Sequence, residues 1–447
     1  MKLAIVGGGG FRVPFVVEAL DTARDAIGLE EIVLHDVNGE RLLRMELAVR
    51  GMRQAVDGNK VADLRRTTDL GEAVEGAGAV FAAIRVGGTE GRIVDEEVPL
   101  ALGVLGQETV GPAGIAFAIR TIPAMCEIAR TVAARAPSAW FLNFTNPAGV
   151  VTQALRPILG DRVIGICDSP SALRGRIAAA LGREEQDVEV DYAGLNHLGW
   201  VLGVRLAGRE VLPRLLADDR RLGRIEEVRL AGVDAVRRLG AIPNEYLVYH
   251  ARADEIAASF REEGSRGTLV HAQTASFERA PFDRPAEAFR AWRRAVDARH
   301  GTYMAEARTP TVSEAAGEEY PVFGYGDVAT GFLRATVGRE RSRQVLDVAN
   351  RGRLPFLADD DVIETTCDVS PDAVVACPGR PLPEEAAALV RRVKQVERLT
   401  IRAATEGRAD VALEAIAAHP LVPSYETAER ILAGYLERHD NLRPILR

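Results

Sequence analysis

The stretch KLAIVGGGG, residues 2 to 10, decides how the chain is read. KLAIV is a short apolar run, four glycines follow at once, and from about Val13 to Ala23 the apolar residues recur at helical spacing. Strand, glycine turn and helix in that order open a dinucleotide-binding fold. Gly7 and Gly9 fill the first two positions of a G-x-G-x-x-G fingerprint, Gly10 lies within it, and Arg12 stands at the third. Glycine is needed there because a Cβ would obstruct the turn and hold the helix N-terminus away from a pyrophosphate. The fingerprint alone is weak. EIVLHD (31–36) strengthens it, since a second strand ends in Asp36. A carboxylate there accepts both ribose hydroxyls and repels a 2′-phosphate, which favours NAD over NADP. The alternative is a glycine-rich turn beside a helix-capping aspartate.

The same alternation continues outward. RLLRMELAVRGMRQAV (41–56) is helical, AVFAAIRVGG (79–88) is a buried strand opening into a glycine loop, and AWFLNFTNP (139–147) and RVIGICD (162–168) are two more strands around the helix-like VVTQALRPIL (150–159). Continuous apolar strands alternating with helices predict an α/β fold with a doubly wound parallel sheet, covered on both faces. The pattern fades after about residue 170. VEVDYAGLNHLGWVLGVRLAG (188–208) reads as antiparallel strands, and 209–240 and 383–417 are charged, alanine-rich and helical. The expected organisation is therefore an NAD-binding, Rossmann-like domain over 1–168 and an α+β domain over 169–447 for catalysis, substrate binding and oligomerisation. With no repeat and no low-complexity linker, the two are expected to share an extensive interface.

Composition narrows the function class. A chain of 447 residues is too long for one ordinary core. Its net charge of -8, with both signs mixed throughout, argues against nucleic acid and leaves a small molecule as the default partner. No targeting segment and no apolar run of roughly 18 residues is evident, so a cytoplasmic protein without a membrane association is expected. Cys126, Cys167, Cys367 and Cys377 are scattered without C-x-x-C pairing, which suits a reducing compartment.

Cys167 ends a strand, on the side of an open sheet where ligands collect, and His197 sits in the loop-like GLNHLGW (194–200). A thiolate and an imidazole could hold a divalent cation with substrate oxygens completing the shell. As isolated residues they are equally a small buried cysteine and a core histidine. Tyr246 in PNEYLVYH (243–250) is either core packing or, beside a cation, a base. REEGSRG (261–267) offers Arg261 and Arg266 to an anion or to solvent, and QETVGPAG (107–114) and NFTNP (143–147) place Glu108, Asn143 and Asn146 in Gly/Pro loops.

In order and spacing, the motifs GGGG, IRVGG, DEEVPLALGVLGQETVGPAG, RTIP, NFTNPAG, GICDSP, GLNHLGW, PNEYL and HPLVPSYETAERIL resemble glycoside hydrolase family 4 along essentially the whole chain. The resemblance implies a lactate/malate dehydrogenase type of Rossmann domain, NAD held by Gly7, Gly9, Gly10, Asp36 and Asn143, and Mn²⁺ or another divalent cation on Cys167 and His197. It implies Tyr246 as base and places Asp168 where the 6-phospho-α-glucosidases carry an aspartate associated with leaving-group protonation, with Arg92, Glu108, Asn146, Asn196 and Arg266 around a phosphorylated disaccharide or aryl glycoside, in a homodimer or homotetramer. The implied reaction is hydrolysis by transient oxidation at C3, deprotonation at C2 and elimination at C1. The chain resembles the 6-phospho-β-glucosidase group most; Asp168 keeps a 6-phospho-α-glucosidase open, as does the family at large an unphosphorylated α-glycoside. A lactate/malate-type dehydrogenase is the alternative from another class, but no His with an Asp partner and a carboxylate-binding Arg stands at the expected places.

Overall fold

The computed structural model describes residues 1–55, 61–280, 283–302 and 325–447. The apolar run after Met1 forms β1 (Lys2–Val6), followed by β2 (Glu31–His35), β3 (Asp63–Thr67), β4 (Ala79–Ala82), β5 (Trp140–Asn143) and β6 (Val163–Gly165). These six are parallel, in the order β3-β2-β1-β4-β5-β6. The order reverses between β1 and β4, so their carboxyl ends open the crevice in which such sheets bind ligands. The strand–turn–helix expected at the N-terminus is completed by the helix Val13–Ile27, and the second expected helix is Gly39–Ala55. Val56, the end of that expected helix, lies outside the described residues.

Period-two alternation assigns each strand residue to a face. Leu3 and Ile5 join Ile32, Leu34, Phe81 and Leu142 in one core; Ala4 and Val6 join Val33, Val80 and Phe141 in the other. The first core is closed by Val13–Ile27 and Gly39–Ala55 together with two helices from far downstream, Pro285–His300 and Tyr325–Thr336. The second is closed by Pro112–Arg135 and Ala148–Leu159 together with the C-terminal helices Glu384–Glu406, Ala409–Ala418 and Tyr425–Arg438. Pro112–Arg135 is long and apolar enough to cross a membrane, but 78% of its most apolar window is buried inside the fold. It also carries Arg120, which is buried and held bidentately by Asp95 at 2.6 and 2.7 Å. It is a core helix.

The sheet continues past β6. β11 (Ser342–Ala349) joins it antiparallel with Asp347 opposite Gly165, and then come β12 (Val362–Val369), β7 (Val188–Leu195), β8 (Leu198–Leu206) and β10 (Ile242–Pro243), all antiparallel. β9 (Arg209–Glu210) and β13 (Val374–Ala376) flank them. A Cβ at Gly165 would lie 2.6 Å from that of Asp347, so glycine permits the junction. The antiparallel pair expected over 188–208 is the β7–β8 hairpin. The segment 209–240 forms short helical pieces, among them Leu212–Leu216 and Val233–Leu239, and 383–417 forms the long helices expected of it.

Candidate active site

The glycine turn is built by close approach. Gly7 has φ +92°, and a Cβ on it would lie 2.3 Å from the carbonyl oxygen of Ala83 at the end of β4. The N–H groups of Gly7 and Gly8 donate to His35 O at 2.9 and 2.7 Å, and that of Gly10 donates to Gly7 O at 2.8 Å. Asp36 stands beside the turn as expected, its carboxylate accepting from Gly9 N at 3.1 Å and Asn38 N at 3.0 Å. Asn143, expected to touch the cofactor, turns inward instead. Its amide donates to Thr145 O, Ala148 O and Thr152 Oγ1 and accepts from Thr145 N, so it is fully used in shaping the loop 143–148. An asparagine side chain has few hydrogen bonds left after that.

Cys167 follows β6, and His197 occupies the two-residue turn of the β7–β8 hairpin with φ +64°. The sheet brings them together: Sγ and Nε2 are 3.6 Å apart. Thr109 Oγ1 holds His197 Nδ1 at 2.8 Å, which fixes the ring and leaves Nε2 facing the sulfur. Tyr246 lies flat on the imidazole, ring centroids 3.7 Å apart and planes 4° from parallel. Burial pushes the His197 pKa down to about 3, keeping the ring neutral as a ligand must be. Burial, with Glu364 and Asp168 adding repulsion, pushes the Cys167 thiol well up, which a divalent cation would reverse. Two ligands on one tetrahedral zinc at bond lengths of ~2.0 and ~2.3 Å stand about 3.5 Å apart, so this pair suits a shared divalent ion. Among the described residues no group of three His, Cys, Asp or Glu side chains could hold a metal. The remaining positions would fall to water or substrate, as at a catalytic site.

Asp168 immediately precedes the next helix, Ser169–Leu181, without a side-chain capping bond, and faces Arg12 at 3.5 Å; burial raises its pKa and Arg12 opposes the rise. The fingerprint's departure from glycine thus links the cofactor turn to the cysteine turn. Arg92 donates to Glu96 and Glu108, each at 2.7 Å, and Arg85 also pairs with Glu108. Asn196 accepts from Ala148 N at 3.1 Å and donates to Glu364 at 3.0 Å. Asn146 is half-buried in the same loop, before a cis bond to Pro147. Arg266 reaches Thr302 Oγ1 at 2.7 Å and Arg299 O at 3.3 Å.

The Tyr246 turn has two supports that sequence reasoning missed. Asn244 accepts from Tyr246 N at 2.9 Å and donates to Tyr192 OH, which donates to Glu364 at 2.8 Å. Glu245 accepts from Ser169 Oγ at 3.1 Å and from Arg176 at 3.0 Å, tying this turn to the one after Cys167. Thr109, Arg85 and Glu245 sat inside quoted motifs; Tyr192 and Glu364 carried no local signal.

Residues 2–183 match the family 4 glycosyl hydrolases, and residues 192–422 match that family's C-terminal domain. A probable 6-phospho-beta-glucosidase of Bacillus subtilis is 30% identical over 455 residues, covering 99% of this chain and 97% of that one. The 6-phospho-beta glucosidase of Thermotoga maritima, solved with manganese, NAD+ and glucose-6-phosphate, aligns with TM-score 0.82 at 26% identity over 100% of both chains. A 6-phospho-alpha-glucosidase from gut microorganisms, solved with NAD and glucose-6-phosphate, aligns with TM-score 0.81 at 27% identity over 98% and 97% of the two chains.

Proposed function

The chain belongs to family 4 of the glycosyl hydrolases, and on that premise we propose that it hydrolyses 6-phospho-β-glucosides by NAD-dependent oxidation at C3, deprotonation at C2 and elimination. The observation that carries this reading is the Cys167–His197 pair, 3.6 Å apart, with Tyr246 stacked on the imidazole. When bound, NAD supplies the hydride acceptor and donor, and a divalent cation such as Mn²⁺ on Cys167 and His197 supplies the Lewis acid that makes C2–H acidic. Gly7, Gly9, Gly10 and Asp36 hold the dinucleotide. Tyr246 takes the C2 proton, and Asp168 gives a proton to the departing oxygen. Arg92, Glu108, Asn146, Asn196 and Arg266 orient the phosphorylated sugar. Residues 1–168 hold the dinucleotide and supply Arg92, Glu108, Asn146, Cys167 and Asp168, and 169–447 supply Asn196, His197, Tyr246 and Arg266. All four cysteines are free, in keeping with a cytoplasmic setting.

The β assignment is supported by the 30% identical relative. A 6-phospho-α-glucoside is the second reading, favoured by Asp168 after the cysteine and by an α-acting structure that aligns as well as the β one. Nitrophenyl 6-phospho-β- and α-glucosides, assayed with and without NAD⁺ and Mn²⁺, separate them. Phenol release that needs both additives, without net NADH and faster from the β substrate, is expected. Faster release from the α substrate selects the second reading; NADH formation without phenol release means a simple dehydrogenase; and full-speed release from protein stripped of NAD⁺ and metal overturns the mechanism.

A further inference from the structure

Arg299 ends the helix Pro285–His300 beside the glycine turn. Its guanidinium lies over the Phe11 ring, 3.6 Å from the centroid, and donates to Thr274 Oγ1, while its Nε is buried without a hydrogen-bond partner. Burial, and then repulsion from Arg12, Arg92, Arg266 and Arg41, press its pKa down to about 9. The nearby carboxylates are engaged elsewhere. Glu96 holds Arg92 and Gly267 N, Glu108 holds Arg92 and Arg85, Asp168 faces Arg12, and Glu278 faces Arg41 at 3.0 Å. Among the described residues no carboxylate pairs with Arg299.

A guanidinium set among cations, with a spare buried N–H, has Phe11 and Thr274 as neutral partners and gains most from an anion that enters the cluster. The cluster is also joined mechanically to the sugar side. Arg266 donates to the Arg299 carbonyl, and its neighbour Gly267 shares Glu96 with Arg92. The pyrophosphate of a dinucleotide is drawn to the N-terminus of the helix Val13–Ile27, which opens just after the glycine turn. We propose that Arg299 is a specificity-determining residue that binds the phosphate ester of the substrate alongside Arg266, selecting a phosphorylated sugar over the same sugar without phosphate. The proposal rests on the reading of the site as a 6-phosphoglucosidase and adds a residue that the family resemblance did not supply. Stacking on Phe11 preorganises the guanidinium plane, so little is lost when the phosphate arrives.

The test uses Arg299→Met and Arg299→Lys in the full chain, loaded with NAD⁺ and Mn²⁺. Inhibition constants for glucose 6-phosphate and for glucose, KM for the nitrophenyl 6-phosphoglucoside, and the NAD⁺ dissociation constant are measured. In Arg299→Met, the preference for glucose 6-phosphate over glucose should fall by at least about tenfold, with KM rising in parallel. NAD⁺ affinity should stay close to wild type, which also shows that the variant folds, and Arg299→Lys should regain part of the preference. An unchanged preference, equal weakening of both sugars, or a loss confined to NAD⁺ affinity would overturn the proposal, the last by assigning Arg299 to the pyrophosphate. Wild-type protein inert toward both phosphorylated anomers would instead defeat the reading of the function.

Discussion

His197 is held in a left-handed backbone setting that histidine adopts at a cost, at the tip of the hairpin that presents its ring. One side of the imidazole is fixed by Thr109 Oγ1 at 2.8 Å and its face by Tyr246 at 3.7 Å, which leaves Nε2 aimed at Cys167. Thr109→Val should therefore keep the fold and lower affinity for Mn²⁺ by about 10- to 100-fold, read from the metal dependence of turnover. Unaltered metal affinity would remove Thr109 as the anchor. Gly7, Asp36, Cys167, His197 and Tyr246 could be singled out as candidates from the sequence, because each sits in a short motif whose residue types are unusual for their setting. Thr109 was not, since its partner lies 88 positions away, and only the closed sheet brings the two together. Asn143 misled for a related reason: an asparagine in a Gly/Pro loop looks available, and only the loop's closure shows its amide turned inward.

β12 shows why half of the sheet was hard to read. Parallel strands such as β4 and β5 are buried on both sides and appear as apolar runs. β12 is buried too, yet it reads ETT at its centre. Those buried polar residues find partners on β7 and the turn after it: Glu364 accepts from Tyr192 OH and Asn196, Thr365 Oγ1 donates to Tyr192 O, and Thr366 Oγ1 accepts from Tyr192 N. Hydrophobic periodicity is blind to a strand whose interior is satisfied by hydrogen bonds. The same element supports both the Asn196–His197 turn and, through Tyr192 and Asn244, the Tyr246 turn. Glu364→Leu should strand the buried Tyr192 hydroxyl and lower stability by about 1–3 kcal/mol, seen as a lower urea midpoint, with a smaller loss from the half-buried Asn196 amide. Glu364→Gln retains an acceptor oxygen and should cost less. Equal stability of Glu364→Leu and wild type would show that the carboxylate holds nothing in place.

At the scale of the molecule, the parallel and antiparallel halves form one sheet, and helices from beyond residue 284 cover both faces of the parallel half. The sequence showed the order of the first six strands' motifs but not this interleaving, because the covering helices lie hundreds of residues from the strands they pack on. A fragment of residues 1–168 keeps its own helices but loses the downstream ones that complete both cores, and should show no cooperative urea transition by circular dichroism; a sharp transition would mean that the half folds alone. Three histidines should lose their contribution to stability in acid, while burial raises the carboxyls of Asp168, Asp347, Glu364 and Glu397 and works in the opposite direction. Burial lowers His197 to about 3, His250 to about 4 and His419 to about 3, against an ordinary value of 6.5. Folded values below unfolded ones give stability that is complete above pH 6.5 and lost as pH falls toward 4. His250→Phe should flatten that loss by up to about 3 kcal/mol, measured by urea titration from pH 7 to 4, and an identical pH slope would contradict it. The central claim is that the glycosidic bond breaks only after a C–H bond has. It is tested most directly by running the reaction to completion in D₂O and weighing the released sugar phosphate. The account predicts deuterium at C2 of the product, dependent on NAD⁺ and on Tyr246; glycoside cleaved with no deuterium on carbon would contradict it.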